Sequence, residues 1–302
     1  MFSLRRSGLD GFPSSGERIG YPHAPGPPCG IGTRIDIGAV MNDERPVIIA
    51  QISDLHCGSQ YHIPSLATRV IDEINELGPD ALVVTGDLTD MGFRQEFKVA
   101  QRLIGRMQVE RVMVLPGNHD ARNVGDLHFE ELFGSRSTEL IMGGVRMLGL
   151  DSSEPDLDTG RIGRQRYRWI EERFSDPEEF KIVALHHHLL PVPGTGRERN
   201  IVHDAGDMLR VLNSSGCNLV LCGHKHVPNV WRLEDMVIVN AGTACTHRLR
   251  GMTRASYNII ELYRDRIRVI LKHPFDEPEV VADFERELKR ECVWQPHVDP
   301  PS

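Results

Sequence analysis

Six short apolar runs constrain this chain more than any other feature: residues 47–52, 81–84, 112–115, 145–150, 182–185 and 219–222. Each has strand length rather than helix length. Amphipathic, helix-spaced segments at 65–77, 95–107, 164–174 and 204–213 separate most of them. Strands joined through helices form parallel pairs, and apolar residues at nearly every position imply a sheet covered on both faces. Four further runs, 229–232, 236–240, 255–262 and 267–271, have short links and read as antiparallel. Arg264-Asp265-Arg266 supplies the turn of one hairpin, with Asp265 the turn-favouring residue. A last helix is predicted around 279–291, before a Pro-rich tail. The fold class is therefore α/β with mixed sheets.

No internal repeat or convincing linker divides the ordered pattern, so one domain is predicted over 44–275, followed by a C-terminal helix and tail over 276–302. Residues 1–43 are rich in Gly and Pro and show neither period, which reads as a disordered or loosely attached segment. Met41, just upstream of the first strand, is a candidate start. A net charge of −8 gives no general attraction to polyanions, so non-specific nucleic-acid binding is disfavoured. No apolar run approaches the ~20 residues that span a bilayer, so no membrane partner is expected. The six cysteines lack paired spacing and are expected to be reduced thiols. Arg5-Arg6 is not followed by an apolar stretch, which argues against an export signal and for a cytoplasmic location.

Five of the strand-like runs end in groups that bind metal. The first leads to Asp54 and His56, the second to Asp87, and the third to Asn118, His119 and Asp120. The run 182–185 enters His186-His187-His188, and 219–222 enters Gly223-His224-Lys225-His226. Carboxyl ends of strands in an open α/β sheet lie along one rim, where distant residues converge. Asp54, His56, Asp87, Asn118, His186, His224 and His226 give two ions four protein contacts each if Asp87 bridges. Carboxylate, amide oxygen and imidazole without thiolate suit Mn, Fe, Zn or Co. Two such ions carry more positive charge than two carboxylates cancel, a surplus that a hydroxide and a phosphate oxyanion would neutralise.

The order D-x-H, G-D, G-N-H-D, a His cluster and G-H-x-H resembles the calcineurin-like metallophosphoesterase superfamily, across roughly 47–271. The resemblance implies a four-layer α/β/β/α sandwich with a binuclear centre of divalent or mixed-valence ions at the strand ends. One ion would take Asp54, His56, Asp87 and His226, and the other Asp87, Asn118, His186 and His224. Within the superfamily the chain looks most like bacterial class III cyclic nucleotide and glycerophosphodiester phosphodiesterases. Residues 52–56, residues 79–87 and the Leu-Leu-Pro-Val-Pro after the His cluster carry that likeness. It implies hydrolysis of a small phosphoester by in-line attack of a metal-bound hydroxide, and allows a homodimer. A nuclease, a phosphomonoesterase or a lipid-A precursor hydrolase of the same superfamily are the enzymatic alternatives. No DNA-binding extension or lipid-binding insertion favours them. A non-catalytic scaffold is the remaining class, and the seven filled positions argue against it.

Neighbouring residues carry narrower expectations. His187 is the rival of His186 for the metal, and His188 is read as structural. His119 is expected to contact phosphate or donate a proton, with Asp120 orienting its imidazole. Gly86, Gly117 and Gly223 read as tight turns, and Cys57 and Cys222 as packing residues. Asn240 to Thr243 and His247 either border the site or form an ordinary strand-to-turn passage. His62, Arg122, Asn123 and Arg197 are candidate substrate contacts.

Overall fold

The computed structural model describes residues 45–285, apart from 178, 197, 198, 251 and 252. Two six-stranded mixed sheets form its centre. The first holds β1 (Val47–Ile52), β2 (Ala81–Thr85), β3 (Val112–Leu115), β10 (Tyr257–Leu262), β11 (Arg266–Lys272) and β12 (Glu279–Glu285), in the order β12-β11-β10-β1-β2-β3. The second holds β4 (Thr138–Met142), β5 (Val145–Leu150), β6 (Phe180–Leu185), β7 (Leu219–Cys222), β8 (Asn229–Leu233) and β9 (Met236–Asn240), in the order β4-β5-β6-β7-β9-β8. Strands β1, β2 and β3 run parallel, as do β5, β6, β7 and β9.

The near-continuous apolar runs divide their side chains by the two-residue strand period. Ile49, Val83, Ile182, Ala184 and Leu221 enter one core between the sheets. Ala50, Ile52, Leu82 and Val84 face outward to α1 (Pro64–Leu77), α2 (Arg94–Ile104) and α3 (Gly125–Phe133). Val183, Leu185 and Val220 face the opposite way, to α4 (Arg164–Arg173) and α5 (Ala205–Ser214). The layers are thus α/β/β/α, as the family resemblance implies.

The predicted C-terminal helix is the main error. Residues 279–285 are strand β12, paired antiparallel with β11, and the sheet extends past the expected boundary at 275. Helix-like spacing was present, but Ala282 and Phe284 alternate onto the inter-sheet core while Asp283 meets Arg268 at 3.0 Å. An open edge on β11 thereby overrides the local period. Residues 286–302 and residues 1–44, which take in the whole predicted N-terminal segment of 1–43, lie outside the described residues. Strand β4 and helix α3 were not anticipated; both are short and only partly buried.

Helix α1 is tied to the first sheet by one buried carboxylate. Glu73 accepts hydrogen bonds from Arg69 Nε (2.8 Å), Lys272 Nζ (3.1 Å), Tyr257 Oη (3.1 Å) and the Phe275 amide (3.0 Å). Burial alone would push its pKa up, but these donors hold it below the ordinary value of 4.5. Glu73→Ala should cost about 3 kcal/mol by stranding the buried donors, a fall of roughly 6–12 °C in melting temperature at neutral pH. The contribution is complete above about 4.5 and fades as pH drops through the lowered pKa, so the two melting curves should converge on acidification. Equal gaps at neutral and acid pH would contradict the role given to this carboxylate.

Candidate metal centre

The parallel strands of both sheets deliver their carboxyl ends to one place. Asp54 and His56 follow β1, Asp87 follows β2, Asn118 follows β3, His186 follows β6, and His224 and His226 follow β7. All seven side chains are buried. They divide into two groups that meet at Asp87. In the first, His226 Nε2 lies 3.0 Å from His56 Nε2 and 3.1 Å from Asp54 Oδ1, and His56 Nε2 lies 3.7 Å from Asp87 Oδ2. In the second, His224 Nδ1 lies 2.9 Å from Asn118 Oδ1 and 3.2 Å from His186 Nε2, and His186 Nε2 lies 3.4 Å from Asp87 Oδ1. The two oxygens of Asp87 therefore face different groups.

These donors fit a pair of cations. Metal–ligand bonds of ~2.0–2.1 Å in a tetrahedral shell set neighbouring donor atoms roughly 3.3 Å apart, a value that the 2.9–3.9 Å contacts within the two groups bracket. Asp54 Oδ1 is buried without a hydrogen-bond donor. Burial keeps His56 and His224 neutral, well below the usual histidine range, so each offers a lone pair. His186 Nδ1 donates to the Thr85 carbonyl (2.7 Å) and His226 Nδ1 to the Arg248 carbonyl, which turns both Nε2 atoms inward. Burial would pull the pKa of His186 down, yet Asp87 and then Asp54 push it up to about 9. The carboxylates thus attract positive charge at the position where that lone pair points.

Five of the seven residues, Asp54, His56, Asp87, His224 and His226, have left-handed backbone conformations, with φ between 43° and 73°. Each such non-glycine residue costs on the order of 1 kcal/mol. The expected role of the glycines needs refining. Gly86 does adopt a positive φ, of 92°, but Gly117 and Gly223 are required for close approach. A Cβ on Gly117 would stand 2.2 Å from Asp87 Oδ1, and one on Gly223 would stand 2.9 Å from Asp54 Oδ2.

The residues around the donors separate by contact. Both nitrogens of His187 point elsewhere: Nδ1 meets Ser152 Oγ (2.9 Å) and Nε2 meets the Asp158 carbonyl (3.3 Å). His188 stacks on His224. Asp120 does not orient the His119 ring. Its carboxylate accepts from the amides of Leu88 (3.0 Å), Thr89 (2.9 Å) and Gly117 (2.8 Å) and from Thr89 Oγ1 (2.7 Å), so it staples the loop carrying Asp87 to the loop carrying Asn118. Burial and then Asp87 push it up to about 7. The His119 ring is held instead through Nδ1, which donates to the Asp90 carbonyl (2.6 Å), while Arg248 Nη1 faces Nε2 at 3.2 Å.

A cleft of about 740 Å³ is lined in part by Tyr61, Asp90, His119, Arg122, His247 and Arg248, and its His119 and Asp90 border His56 of the first group. Arg122 was a candidate substrate contact, and His247, left open between bordering the site and an ordinary turn, lines the cleft. Asp90, Arg248 and Tyr61 were missed, and only Asp90, three residues after Asp87, carried any sequence signal. His62 and Asn123 instead hold backbone carbonyls, of Leu55 and Met91. Thr243 Oγ1 donates to the Asp54 carbonyl (2.8 Å), so the passage after β9 supports the site from below. Cys57 and Cys222 are fully buried in the helix-facing cores, as packing residues should be. Arg197 lies outside the described residues.

Comparison with known proteins bears on the family and the fold. A model of the family described as calcineurin-like phosphoesterase matches residues 48–228. A 3′,5′-cyclic-nucleotide phosphodiesterase of Nostoc sp. is 28% identical over 197 residues, covering 62% of this chain and 74% of the relative. A glycerophosphodiester phosphodiesterase of Enterobacter lignolyticus is 29% identical over 199 residues, covering 60% and 71%. Among solved structures, a purple acid phosphatase from yellow lupin seeds superposes with a TM-score of 0.66 at 13% identity, covering 83% of this chain and 57% of that one. That likeness concerns the fold.

Because Asp87 alone faces both groups, substitutions should be unequal. Asp87→Ala is expected to lose stable occupancy of both positions, whereas His226→Ala should still hold one ion per chain. Elemental analysis after dialysis against manganese reads the difference. An Asp87→Ala protein that retains two ions would contradict the bridging geometry.

Proposed function

Because this chain belongs to the calcineurin-like phosphoesterase family, we propose that it hydrolyses small phosphodiesters at a centre of two divalent or mixed-valence ions. Cyclic nucleotides and glycerophosphodiesters are the substrate classes favoured, since similar proteins bear those names. The observation that carries the reading is Asp87, whose two oxygens lie between two sets of buried donors, beside a cleft wall formed by His119, whose amide donates to Asp87 Oδ1. The cleft volume lies within the ~300–1,000 Å³ usual for small-molecule sites. Among the described residues no helix is long and apolar enough to cross a membrane.

Asp54, His56, Asp87 and His226 would hold one ion, and Asp87, Asn118, His186 and His224 the other. When bound, such ions lower the pKa of water toward neutrality and offset charge on the phosphoryl oxygens. The protein's own residues do the rest. Asp120 keeps the loops of Asp87 and Asn118 in register through its four hydrogen bonds. The guanidinium groups of Arg122 and Arg248 line the cleft and can take up phosphate oxygens. The proton on His119 Nδ1 is committed to the Asp90 carbonyl. Nε2, which Arg248 Nη1 faces at 3.2 Å, is then the ring atom that can exchange a proton with a leaving group once that guanidinium turns to the phosphate. Asp90, with Oδ1 3.7 Å from Nδ1, rather than Asp120, is the carboxylate beside the ring.

A hydrolysis panel with manganese tests the reading. Cyclic nucleotides, glycerophosphodiesters and bis-nitrophenyl phosphate should turn over faster than phosphomonoesters. An alkoxide leaving group needs a proton and a nitrophenolate does not. His119→Ala should therefore slow the first two substrates by roughly 10²–10⁴-fold, and the nitrophenyl diester far less, with metal content unchanged. Preference for monoesters would overturn the substrate class. An equal loss on all diesters would move His119 from proton donor to phosphate contact.

A further inference from the structure

Asn118 is the one amide among the seven proposed donor groups, and an amide can present the wrong atom. The oxygen and nitrogen of Asn118 are nearly equal in size, but only Oδ1 has lone pairs for a cation. On the inner side, Oδ1 faces His186 Nε2 at 3.1 Å and His224 Nδ1 at 2.9 Å. On the outer side, Nδ2 donates to Asp158 Oδ1 at 3.2 Å. A carboxylate accepts hydrogen bonds and cannot donate them, so this partner selects Nδ2 and excludes the flipped amide.

Asp158 sits on the passage between β5 and α4, and its side chain is 57% exposed, but its placement is fixed twice. Arg122 Nη2 donates to the same Oδ1 at 2.6 Å. The backbone is held by the second histidine of the cluster: His187, fully buried, donates from Nε2 to the Asp158 carbonyl at 3.3 Å. Gly160 lies flat against that ring, where a Cβ would stand 2.5 Å from His187 Cγ. The histidine expected as a rival metal ligand thus anchors the loop that orients a proposed one.

We propose that Asp158 is a positioning residue whose carboxylate locks the amide of Asn118 with Oδ1 toward the second ion. The inference rests on the two-ion reading. Outer partners of this kind are worth roughly 10–100-fold in metal affinity.

The test is manganese binding by the full chain, read by equilibrium dialysis with elemental analysis. Asp158→Ala should bind one of the two ions roughly 10–100-fold more weakly and leave the other unchanged. Asp158→Asn should stay close to wild type, because its side-chain carbonyl accepts the same bond from Nδ2 while Arg122 still donates to it. In an Asn118→Ala background, the further change Asp158→Ala should have no additional effect on affinity. A single Asp158→Ala protein with two ions at wild-type affinity would overturn the proposal. So would a loss that persists undiminished without the Asn118 amide, because that would be a general effect of the loop. A wild-type chain that holds fewer than two ions would instead refute the two-ion reading itself.

Discussion

Two carboxylates, four imidazoles and an amide oxygen point at each other inside the rim of this sandwich, and that convergence is the constraint the surroundings serve. Burying charged and lone-pair-bearing groups is costly unless they are paired or coordinate a cation. Here the pairing is incomplete among the side chains themselves. Asp54 Oδ1 has no donor, imidazole nitrogens face each other at 3.0 Å and 3.2 Å, and the carboxylates raise the proton affinity of His186 despite its burial. Positive charge placed between these atoms would remove every one of those conflicts at once.

The scaffold accepts strain to keep the donors there. Five left-handed non-glycine residues at the ends of β1, β2 and β7 cost on the order of 5 kcal/mol together. Such conformations persist only where the surroundings over-determine them. The flanking strands are buried on both faces, Gly117 and Gly223 allow backbones to approach the carboxylates, and Asp120 ties two of the loops through four hydrogen bonds. Outer partners then choose the atoms that point inward: Thr85 for His186, Arg248 for His226 and Asp158 for Asn118.

Much of this was legible in the sequence, for a physical reason. Strands buried on both faces leave an unmistakable apolar run, and a polar cluster at the end of such a run has no core-packing explanation. The six runs and the seven side chains at their ends could therefore be read directly, whereas the layer order came only from the family resemblance. Residues whose role depends on tertiary neighbours could not. Glu279 to Glu285 carries a helical spacing that only the open edge of β11 overrules. Asp120 looked like a partner for the adjacent His119, but a one-residue separation across a tight turn sends the two side chains in different directions. Arg248 and Asp158 are charged residues in loops, indistinguishable by type from those that meet only solvent, and their contacts arise from segments distant in the chain.

The central claim is that one carboxylate, Asp87, joins two ions held side by side. Electron paramagnetic resonance of the full chain loaded with two equivalents of Mn(II) tests it most directly. Ions sharing a bridging ligand at roughly 3.5–4 Å should give an exchange-coupled spectrum that replaces the hyperfine pattern of isolated Mn(II). Two bound ions that keep the isolated pattern would place them apart and contradict the account.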